Sequence, residues 1–334
     1  MTSKRINWGV LGCAGIAEKH VIPALLQANN AVLYGIASRA DNERLHQFTE
    51  KFRPLHTYTS YESLLSDPVI DAVYIPLPNS LHAEWVKKAA AAKKHVLCEK
   101  PLGVNASEVA DMQAACDANG VLLMEAFAYR HSPLTRTIES LVQSGQIGDI
   151  RLIEAYFCYN LQDLDNVRLQ SDLKGGATYD VGCYNIDLIG HLMGSLPDSV
   201  QASAFIGPDS QVDESCLATF TFPGAVDAIS YCSFRTEARN ECTILGSEGI
   251  LSVSPAFNFQ GTSKIKLTIK GQPDTIIVDC PNNYSLEIEQ FGRCITDGEQ
   301  PLLSHESSRL TAQIMDRVLA QIYTQPVTGQ TQRN

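Results

Sequence analysis

The chain has 334 residues and a formal net charge of −11, and its composition is that of a globular protein, with 44% hydrophobic and 19% charged residues. This length suits two domains better than a single core. The excess of acidic residues disfavours nucleic acid as a partner, because the phosphate backbone is also anionic. The apolar runs are only as long as strands and no basic amphipathic segment is present, so no membrane contact is expected.

The cysteines and the first residues indicate the compartment. No apolar stretch of signal-peptide length precedes Gly12, so a cytoplasmic location is expected. The ten cysteines are irregularly spaced and contain no CxxC pair, which favours reduced thiols. There is no HExxH motif and no paired Cys/His cluster, so we predict no metal site.

The first part of the chain alternates strand and helix patterns. Strands are predicted over 6–11, 31–37, 71–75, 95–98 and 121–124, and helices over 16–28, 81–92 and 106–119. Such alternation gives βαβ units and therefore a parallel sheet. The sequence thus predicts a doubly wound, Rossmann-type α/β domain over residues 1–128.

The pattern changes after about residue 130. Helices are predicted over 133–144, 178–193, 285–296 and 305–323, with strands between them over 151–160, 216–222, 225–234 and 242–245. Consecutive strands without crossover helices imply antiparallel pairing. Residues 129–334 are therefore predicted to form an α+β domain with a large, mainly antiparallel sheet.

A small-residue loop follows the first predicted strand and opens the first helix. Residues 9–17 read GVLGCAGIA and fit G-x-G-x-x-A, with Ala14 at the second glycine position. Small residues let the backbone approach a pyrophosphate, and the helix N-terminus offers N–H donors to it. Taken alone, the motif also fits an ordinary tight turn. Its position predicts dinucleotide contacts from Gly12, Ala14, Gly15, Ile16 and Ala17.

The choice of cofactor depends on Ser38 and Arg39, which follow the second predicted strand. An acidic side chain there would bind the ribose 2′-hydroxyl of NAD, whereas Ser38 and Arg39 can bind and neutralise a 2′-phosphate. The alternative for Arg39 is a solvated loop residue. Asp41 is expected to cap the following helix. NADP is therefore predicted in preference to NAD.

Three further segments resemble the Gfo/Idh/MocA oxidoreductase family. They are residues 76–82 (PLPNSLH), 98–101 (CEKP) and 175–184 (GGATYDVGCY), in the order and spacing of that family. Residues 125–131 (EAFAYRH) and 167–169 (VRL) are similar to its NADP-preferring branch of dihydrodiol and D-xylose dehydrogenases. The resemblance implies cofactor-side roles for Pro76, Asn79, His82, Glu99 and Lys100.

The resemblance also implies a catalytic set of Lys100, Asp180 and Tyr184. Asp180 and Tyr184 are four residues apart and so lie on one helical face. Hydride transfer needs a partner for the hydroxyl proton, and a nearby ammonium would lower the pKa of a tyrosine from about 10. The hypothesis is that Tyr184 exchanges the proton, Lys100 tunes it and contacts the substrate oxygen, and Asp180 orients both. The proton roles of Lys100 and Tyr184 are interchangeable at this point.

Five residues are assigned to the substrate pocket by the same resemblance. Asp180 and Tyr184 are joined there by Tyr129, Arg130 and Arg168, with Arg168 placed to bind hydroxyls or an anionic group. For each arginine a surface ion pair is the alternative. Asp187 and His191, on the helix of Tyr184, are interpreted as structural.

These residues predict an NADP-dependent oxidoreductase that moves a hydride to or from a hydroxyl or carbonyl carbon of a sugar-like or diol substrate. Two alternatives remain open: a non-catalytic NAD(P)-sensing protein, and an NAD-dependent glycosidase of the same family. Family members commonly associate through the open face of the second sheet. A homodimer or a higher homo-oligomer is therefore expected.

Overall fold

A computed structural model describes residues 5–324. The first sheet is parallel, has six strands and runs in the order β3-β2-β1-β4-β5-β6. Its strands are β1 (Ile6–Leu11), β2 (Ala31–Ala37), β3 (His56–Tyr58), β4 (Ala72–Ile75), β5 (His95–Glu99) and β6 (Leu123–Ala126). The helices between them are α1 (Ile22–Gln27), α2 (Glu43–Phe52), α3 (Tyr61–Leu65), α4 (His82–Ala91) and α5 (Ala106–Asn119). The order reverses beside β1, so the carboxyl ends of β1 and β4 flank a crevice.

The predicted doubly wound sheet is confirmed, with additions that the hydropathy pattern did not indicate. The short strand β3 and the helix α3 are the additions, and they lie between α2, the helix expected after Asp41, and β4. Asn42 caps α2 by accepting a hydrogen bond from Leu45 N at 2.9 Å, so the prediction that Asp41 is the cap is wrong. Asp41 instead pairs with His46 on the surface. Both residue types cap helices well, and composition alone does not choose between neighbours.

The second sheet has eight strands in the order β14-β13-β12-β11-β7-β10-β9-β8. Every neighbouring pair is antiparallel except β7 and β10, so the predicted mainly antiparallel sheet is confirmed. The strands are β7 (Ile150–Asn160), β8 (Ser199–Ile206), β9 (Asp213–Phe222), β10 (Val226–Ser233), β11 (Arg235–Gly246), β12 (Gly249–Val253), β13 (Gly261–Ile269) and β14 (Gln272–Cys280). The helices are α6 (Pro133–Gln143), α7 (Cys183–Met193), α8 (Asn283–Asp297) and α9 (His305–Thr324).

Two predicted helices begin with a π-helical turn. The turn Ala17–Val21 precedes α1, and the turn Thr178–Gly182 precedes α7. A π turn adds a residue to the helical repeat and is frequent at functional sites, where it redirects side chains. Both turns lie at segments that the sequence assigns to the cofactor or to catalysis.

The last two helices pack back onto the first sheet. The Trp8 ring of β1 lies 5.7 Å from the Phe291 ring of α8, between ring centroids. The Asp316 carboxylate of α9 accepts a hydrogen bond from Ala106 N at 3.0 Å, which anchors the start of α5. The two sheets are therefore joined by helices that come from the end of the chain as well as by the connection between β6 and β7.

The ten cysteines are all free thiols, and nine of them are buried. Within residues 5–324, no helix combines the length and apolar character that crossing a membrane requires. The same residues contain no group of three or more Asp, Glu, His or Cys side chains placed to hold a metal ion.

Candidate active site

A cavity of about 850 Å³ opens where the carboxyl ends of β1, β4 and β5 face the second sheet. This is the edge at which open α/β sheets bind ligands. The first domain contributes three segments that follow those strands, and the second contributes the loop after β7 and the start of α7. The predicted site residues that line the cavity are Ala14, Gly15, Ile16, Pro76, Asn79, Glu99, Lys100, Arg168, Asp180 and Tyr184.

The loop after β1 is shaped for a dinucleotide. Gly12 has φ +116°, and a Cβ atom there would lie 3.0 Å from Leu77 Cδ2, so the turn needs glycine. A Cβ at Gly15 would meet no atom within 4 Å, because that residue opens on the cavity. Ala17 is fully buried and seats the helix against the sheet. The loop therefore leaves space for a pyrophosphate beside a helix start, and the residues present fit NAD(P).

The end of β2 presents the residues that were predicted to select the cofactor. Ser38 is 8% exposed, and its hydroxyl accepts a hydrogen bond from Asn42 Nδ2 at 2.9 Å. Arg39 is exposed beside it. Arg44 of α2 adds a second cation and donates from Nε to Cys13 O at 3.2 Å, which ties α2 to the nucleotide loop. This corner therefore carries two guanidinium groups.

Asp180 is the centre of the charged network in the cavity. Its Oδ2 accepts a hydrogen bond from Tyr159 OH at 2.8 Å and forms an ion pair with Arg168 Nε at 2.7 Å. Lys100 Nζ donates to the Asp180 backbone O at 2.6 Å and lies 3.3 Å from Oδ1. The carboxylate thus joins a lysine of the first domain to an arginine and a tyrosine of the second.

Burial and pairing act in opposite directions on these charges. Burial alone would raise the pKa of Asp180, but the Lys100 ammonium and the Arg168 guanidinium outweigh it and hold that pKa below its usual range. Burial also opposes the charge on Lys100, but the Asp180 carboxylate dominates and raises the pKa of Lys100. Both groups therefore remain charged at neutral pH.

The glycine pair before Asp180 permits this geometry. Gly176 has φ +120°, and a Cβ atom there would lie 2.3 Å from Asp213 Oδ1. The Asp213 carboxylate accepts hydrogen bonds from Thr178 N and Thr178 Oγ1, both at 2.7 Å, and so holds the first residue of the π turn. A larger side chain at residue 176 would displace that carboxylate and the turn with it.

The ring of Tyr184 packs among aromatic side chains, and its hydroxyl forms a hydrogen bond. Its ring centroid is 5.3 Å from those of Phe127 and Phe157, and its Oη accepts a hydrogen bond from Asn258 Nδ2 at 2.8 Å. Burial, together with the charge of Glu99, raises the pKa of Tyr184 well above its usual value. The phenol is therefore neutral, and because Oη is an acceptor toward Asn258, its proton is free for another partner.

The expected contact between Lys100 and the Tyr184 oxygen is not present in this structure. Lys100 Nζ lies over the face of the Tyr184 ring, 4.9 Å from its centroid, while its hydrogen bonds go to Asp180. The Asn258 amide is the group that lowers the pKa of the phenol, against the larger effect of burial. Lys100 and Tyr184 are neighbours, but Asp180 holds the ammonium.

The cavity floor between the two domains is formed by Glu99. Its Oε1 accepts a hydrogen bond from Tyr74 OH at 2.5 Å, and its Oε2 accepts one from Lys100 N at 3.3 Å. The peptide bond between Lys100 and Pro101 is cis. Asn79 Nδ2 donates to Lys174 O at 2.8 Å and so connects the loop after β4 to the second domain.

His82 lies behind the cavity wall rather than in it. Its side chain is fully buried, with Nδ1 3.0 Å from Pro101 O and Nε2 2.8 Å from Leu77 O. The side chain that was predicted to contact the cofactor therefore does not line the cavity. It fastens the segment after β4 to the turn that follows Lys100, which positions both.

Tyr129 and Arg130 were predicted to line the substrate pocket, and the structure places them in the core instead. Both are at most 5% exposed, and both bind the carboxylate of Asp187: Tyr129 through its hydroxyl and Arg130 through Nη1 at 3.1 Å. Arg130 Nη2 also lies 2.7 Å from His191 Nδ1. A buried guanidinium needs a carboxylate partner, and the helix of Tyr184 supplies it on the side away from the cavity.

Several cavity residues were not identified from the sequence. Tyr159 ends β7, Asn258 lies in the loop after β12, and Tyr284 begins α8, where it stacks on His20 with centroids 5.1 Å apart. None of them belongs to a short motif. Asn258 does adopt φ +47°, a conformation that asparagine tolerates better than most residues.

The chain matches two family models. A model of an oxidoreductase family with an NAD-binding Rossmann fold covers residues 6–127, and a model of the Gfo/Idh/MocA C-terminal domain covers residues 135–252. A D-xylose 1-dehydrogenase (NADP(+)) from Haloferax volcanii is 38% identical over 314 residues, which are 93% of this chain and 95% of the relative. The chain belongs to the Gfo/Idh/MocA oxidoreductase family.

Other members of the family are similar over nearly the whole chain. A trans-1,2-dihydrobenzene-1,2-diol dehydrogenase from Xenopus tropicalis is 30% identical and covers 95% of this chain and 98% of its own. The crystal structure of a 3-ketoreductase from Actinomadura kijaniata with NADP and TDP-benzene superposes with a TM-score of 0.91 at 30% identity, covering 96% and 98% of the two chains. The predicted family and enzyme class, a dehydrogenase or reductase, are confirmed.

Replacing Asn258 with aspartate tests its hydrogen bond to Tyr184. Asn258 donates a hydrogen bond to Tyr184 Oη, but the carboxylate in Asn258→Asp would instead accept a hydrogen bond from the Tyr184 hydroxyl. The negative charge of the carboxylate would also raise the pKa of Tyr184 further. We expect turnover in the reductive direction to fall by about tenfold or more, with NADPH affinity unchanged. Steady-state NADPH oxidation and fluorescence titration measure the two quantities.

Asn105→Asp is the matched control for Asn258→Asp. Asn105 caps α5, where aspartate serves equally well, and it does not line the cavity. This control should keep the activity of the unmodified protein. Full turnover in Asn258→Asp would show that the hydrogen bond plays no part in proton transfer.

Proposed function

We propose that the cavity carries out hydride transfer between NADP and a hydroxyl or carbonyl carbon, with Lys100, Asp180 and Tyr184 as the reacting set. The chain is an NADP-dependent oxidoreductase that acts on sugar-like or diol substrates, as its relatives do. One observation carries the proposal for the site: the Lys100 ammonium lies over the ring of the neutral Tyr184, 4.9 Å from the ring centroid, and both residues line the cavity together with the nucleotide loop.

The proposed role of each residue follows from its charge state. When bound, NADPH would supply the hydride in reduction, and NADP⁺ would accept it in oxidation. In reduction, Tyr184 donates its phenol proton to the carbonyl oxygen, and the Lys100 ammonium donates a hydrogen bond to the same oxygen as negative charge develops on it. Asp180 keeps Lys100 protonated and directs it. In oxidation, Tyr184 would first release its own proton to solvent, and the resulting phenolate would take the proton of the substrate hydroxyl.

The cofactor contacts follow from the loops that line the cavity. Gly12, Ala14, Gly15, Ile16 and Ala17 would hold the pyrophosphate, and Glu99 would contact the nicotinamide-side ribose. Pro76 and Asn79 lie on the same side of the cavity. In this arrangement the 2′-phosphate is bound at Ser38 and Arg39, beyond the end of β2.

The role of Arg39 is tested through cofactor preference. In Arg39→Ala the loss of a charge-assisted contact should reduce kcat/KM for NADPH by about tenfold, while kcat/KM for NADH changes less than twofold. Arg53→Ala, at the exposed end of α2, is the matched control. If the ratio of kcat/KM for NADPH to kcat/KM for NADH is unchanged in Arg39→Ala, Arg39 does not bind the 2′-phosphate.

The main test compares the intact protein with Tyr184→Phe in NADP(H) turnover. Neutral aldopyranoses, inositols, a trans-dihydrodiol and dicarbonyl compounds are assayed in both directions. Tyr184→Phe should lose at least about a hundredfold in kcat, with little change in NADPH affinity, because only the proton donor is removed. Near-normal turnover in this variant would exclude Tyr184 as the proton carrier.

The same assay separates the enzyme from the alternatives. Tight NADPH binding with no turnover of any substrate would favour a sensor. Hydrolysis of a glycoside without net change in NADPH absorbance would favour a glycosidase. The presence of Lys100, Asp180 and Tyr184 together in this chain supports the dehydrogenase or reductase over the sensor.

The open face of the second sheet supports a proposal of self-association. Four large apolar side chains on its strands are 41–67% exposed: Phe205, Leu217, Ile250 and Ile277. The opposite face carries the less exposed residues of these strands, which are partly buried in β8 and mostly buried in β9. We propose that this face pairs with a second copy in a homodimer. Sedimentation velocity should give twice the 36.5 kDa chain mass, and the chain mass at micromolar concentration would contradict it.

A cytoplasmic location is also proposed. Nine buried thiols and one partly buried thiol, all unbonded, suit a reducing compartment. Cell fractionation with an antibody against the chain measures the location directly, and recovery outside the cytoplasmic fraction would overturn it.

A further inference from the structure

We propose that the cavity takes an uncharged sugar or diol, without a phosphate or nucleotide, and that Asp163 and Asp165 repel anionic substrates. This inference rests on the proposed function and names the substrate class of the same site. The relatives leave the class open, because they include the D-xylose dehydrogenase and, at 31% identity, a dTDP-sugar reductase from Streptomyces antibioticus. The charges that line the cavity distinguish the two.

The cations of the substrate side are already used within the chain. Lys100 and Arg168 both pair with the single carboxylate of Asp180. Arg168 also donates from Nη1 to Asn166 Oδ1 at 3.3 Å. A nucleoside diphosphate brings about two negative charges and needs cationic partners of its own. To bind one here, Arg168 would have to leave Asp180, which would weaken the network that directs Lys100.

Two further acidic residues line the same part of the cavity. Asp163 and Asp165 lie in the exposed loop between β7 and the π turn. Asp163 accepts hydrogen bonds from Asp165 N and Asn166 Nδ2, both at 3.2 Å. Neither aspartate takes part in an ion pair within residues 5–324. With Asp180, these aspartates place three carboxylates on the substrate side of the cavity beside Lys100 and Arg168, and Glu99 lines the cavity as well. An approaching phosphate therefore meets net repulsion.

The remaining basic residues of the cavity lie on the cofactor side. Lys19 and His20 belong to the π turn that follows the nucleotide loop, where the pyrophosphate of NADP would lie. Burial lowers the pKa of His20, and the neighbouring Lys19 lowers it further, so His20 adds no charge at neutral pH. Lys19 is then the cation available to the cofactor, and none remains for a second diphosphate.

The groups left to recognise a substrate suit hydroxyls and the C–H faces of a ring. The Tyr184 hydroxyl offers a polar contact at the cavity, and the Phe157 ring beside Tyr184 offers an apolar wall. A pyranose or a cyclic diol presents both kinds of surface. These contacts require no charge on the substrate.

The test uses a matched pair of substrates, D-glucose and D-glucose 6-phosphate, that differ only in the phosphate. In NADP(H) turnover by the full chain, kcat/KM for the neutral sugar should exceed that for the phosphate at least tenfold at low salt, and the gap should narrow at 0.5 M salt. In the double variant Asp163→Asn with Asp165→Asn, the ratio of anionic to neutral kcat/KM should rise about tenfold. Asp172→Asn, an exposed loop residue outside the cavity lining, should leave the ratio unchanged.

A binding measurement keeps the inference testable whatever the activity assay gives. Calorimetric titration of dTDP-glucose into the NADP complex should show no binding up to millimolar concentration, and the double variant should gain detectable affinity. Micromolar binding of dTDP-glucose to the unmodified chain, or a kcat/KM for glucose 6-phosphate equal to that for glucose, would overturn the inference. Failure to turn over every sugar, with dTDP-glucose still excluded, would contradict the proposed function but not the charge selection.

Discussion

The carboxylate of Asp180 lies between two cations that come from different domains, and the cavity depends on this arrangement. Lys100 follows a strand of the parallel sheet, whereas Arg168 and Tyr159 belong to the loop and strand of the second domain. Without this carboxylate, Lys100 and Arg168 would lose the counter-ion that they share. The same interaction therefore keeps Lys100 charged and anchors the segment between β7 and the π turn that contains Arg168.

The burial that surrounds this ion pair defines the proton chemistry. Tyr184 is enclosed by aromatic rings, which favours its neutral form, and Asn258 leaves its proton unused within the protein. A neutral phenol beside a permanent ammonium is arranged for proton donation. In the proposed mechanism, oxidation requires the substrate hydroxyl to approach Lys100, whose charge would stabilise an alkoxide there.

The sequence identified the parts of the site that are encoded in contiguous segments. The nucleotide loop, the turn after β5 and the glycine pair before Asp180 each combine backbone requirements with functional side chains, so local pattern predicts them. Residues that reach the cavity from elsewhere, such as Tyr159 and Asn258, have no local signature, because only the pairing of the second sheet brings them there. Arg130 was predicted to line the substrate pocket but is buried, for a related reason. Its motif was recognised, but the carboxylate that orients its side chain belongs to Asp187, 57 residues away.

The packing of the last helices on the first sheet bears on the order in which the protein matures. Trp8 is fully buried, and Phe291 is among the residues that cover it. During synthesis, a chain that has emerged only through its first 128 residues contains every strand of the parallel sheet but lacks this cover. The nucleotide-binding half therefore exposes part of its core to solvent until α8 leaves the ribosome. The cover of Trp8 is therefore complete only after α8 has been made, although all strands of that half are made first.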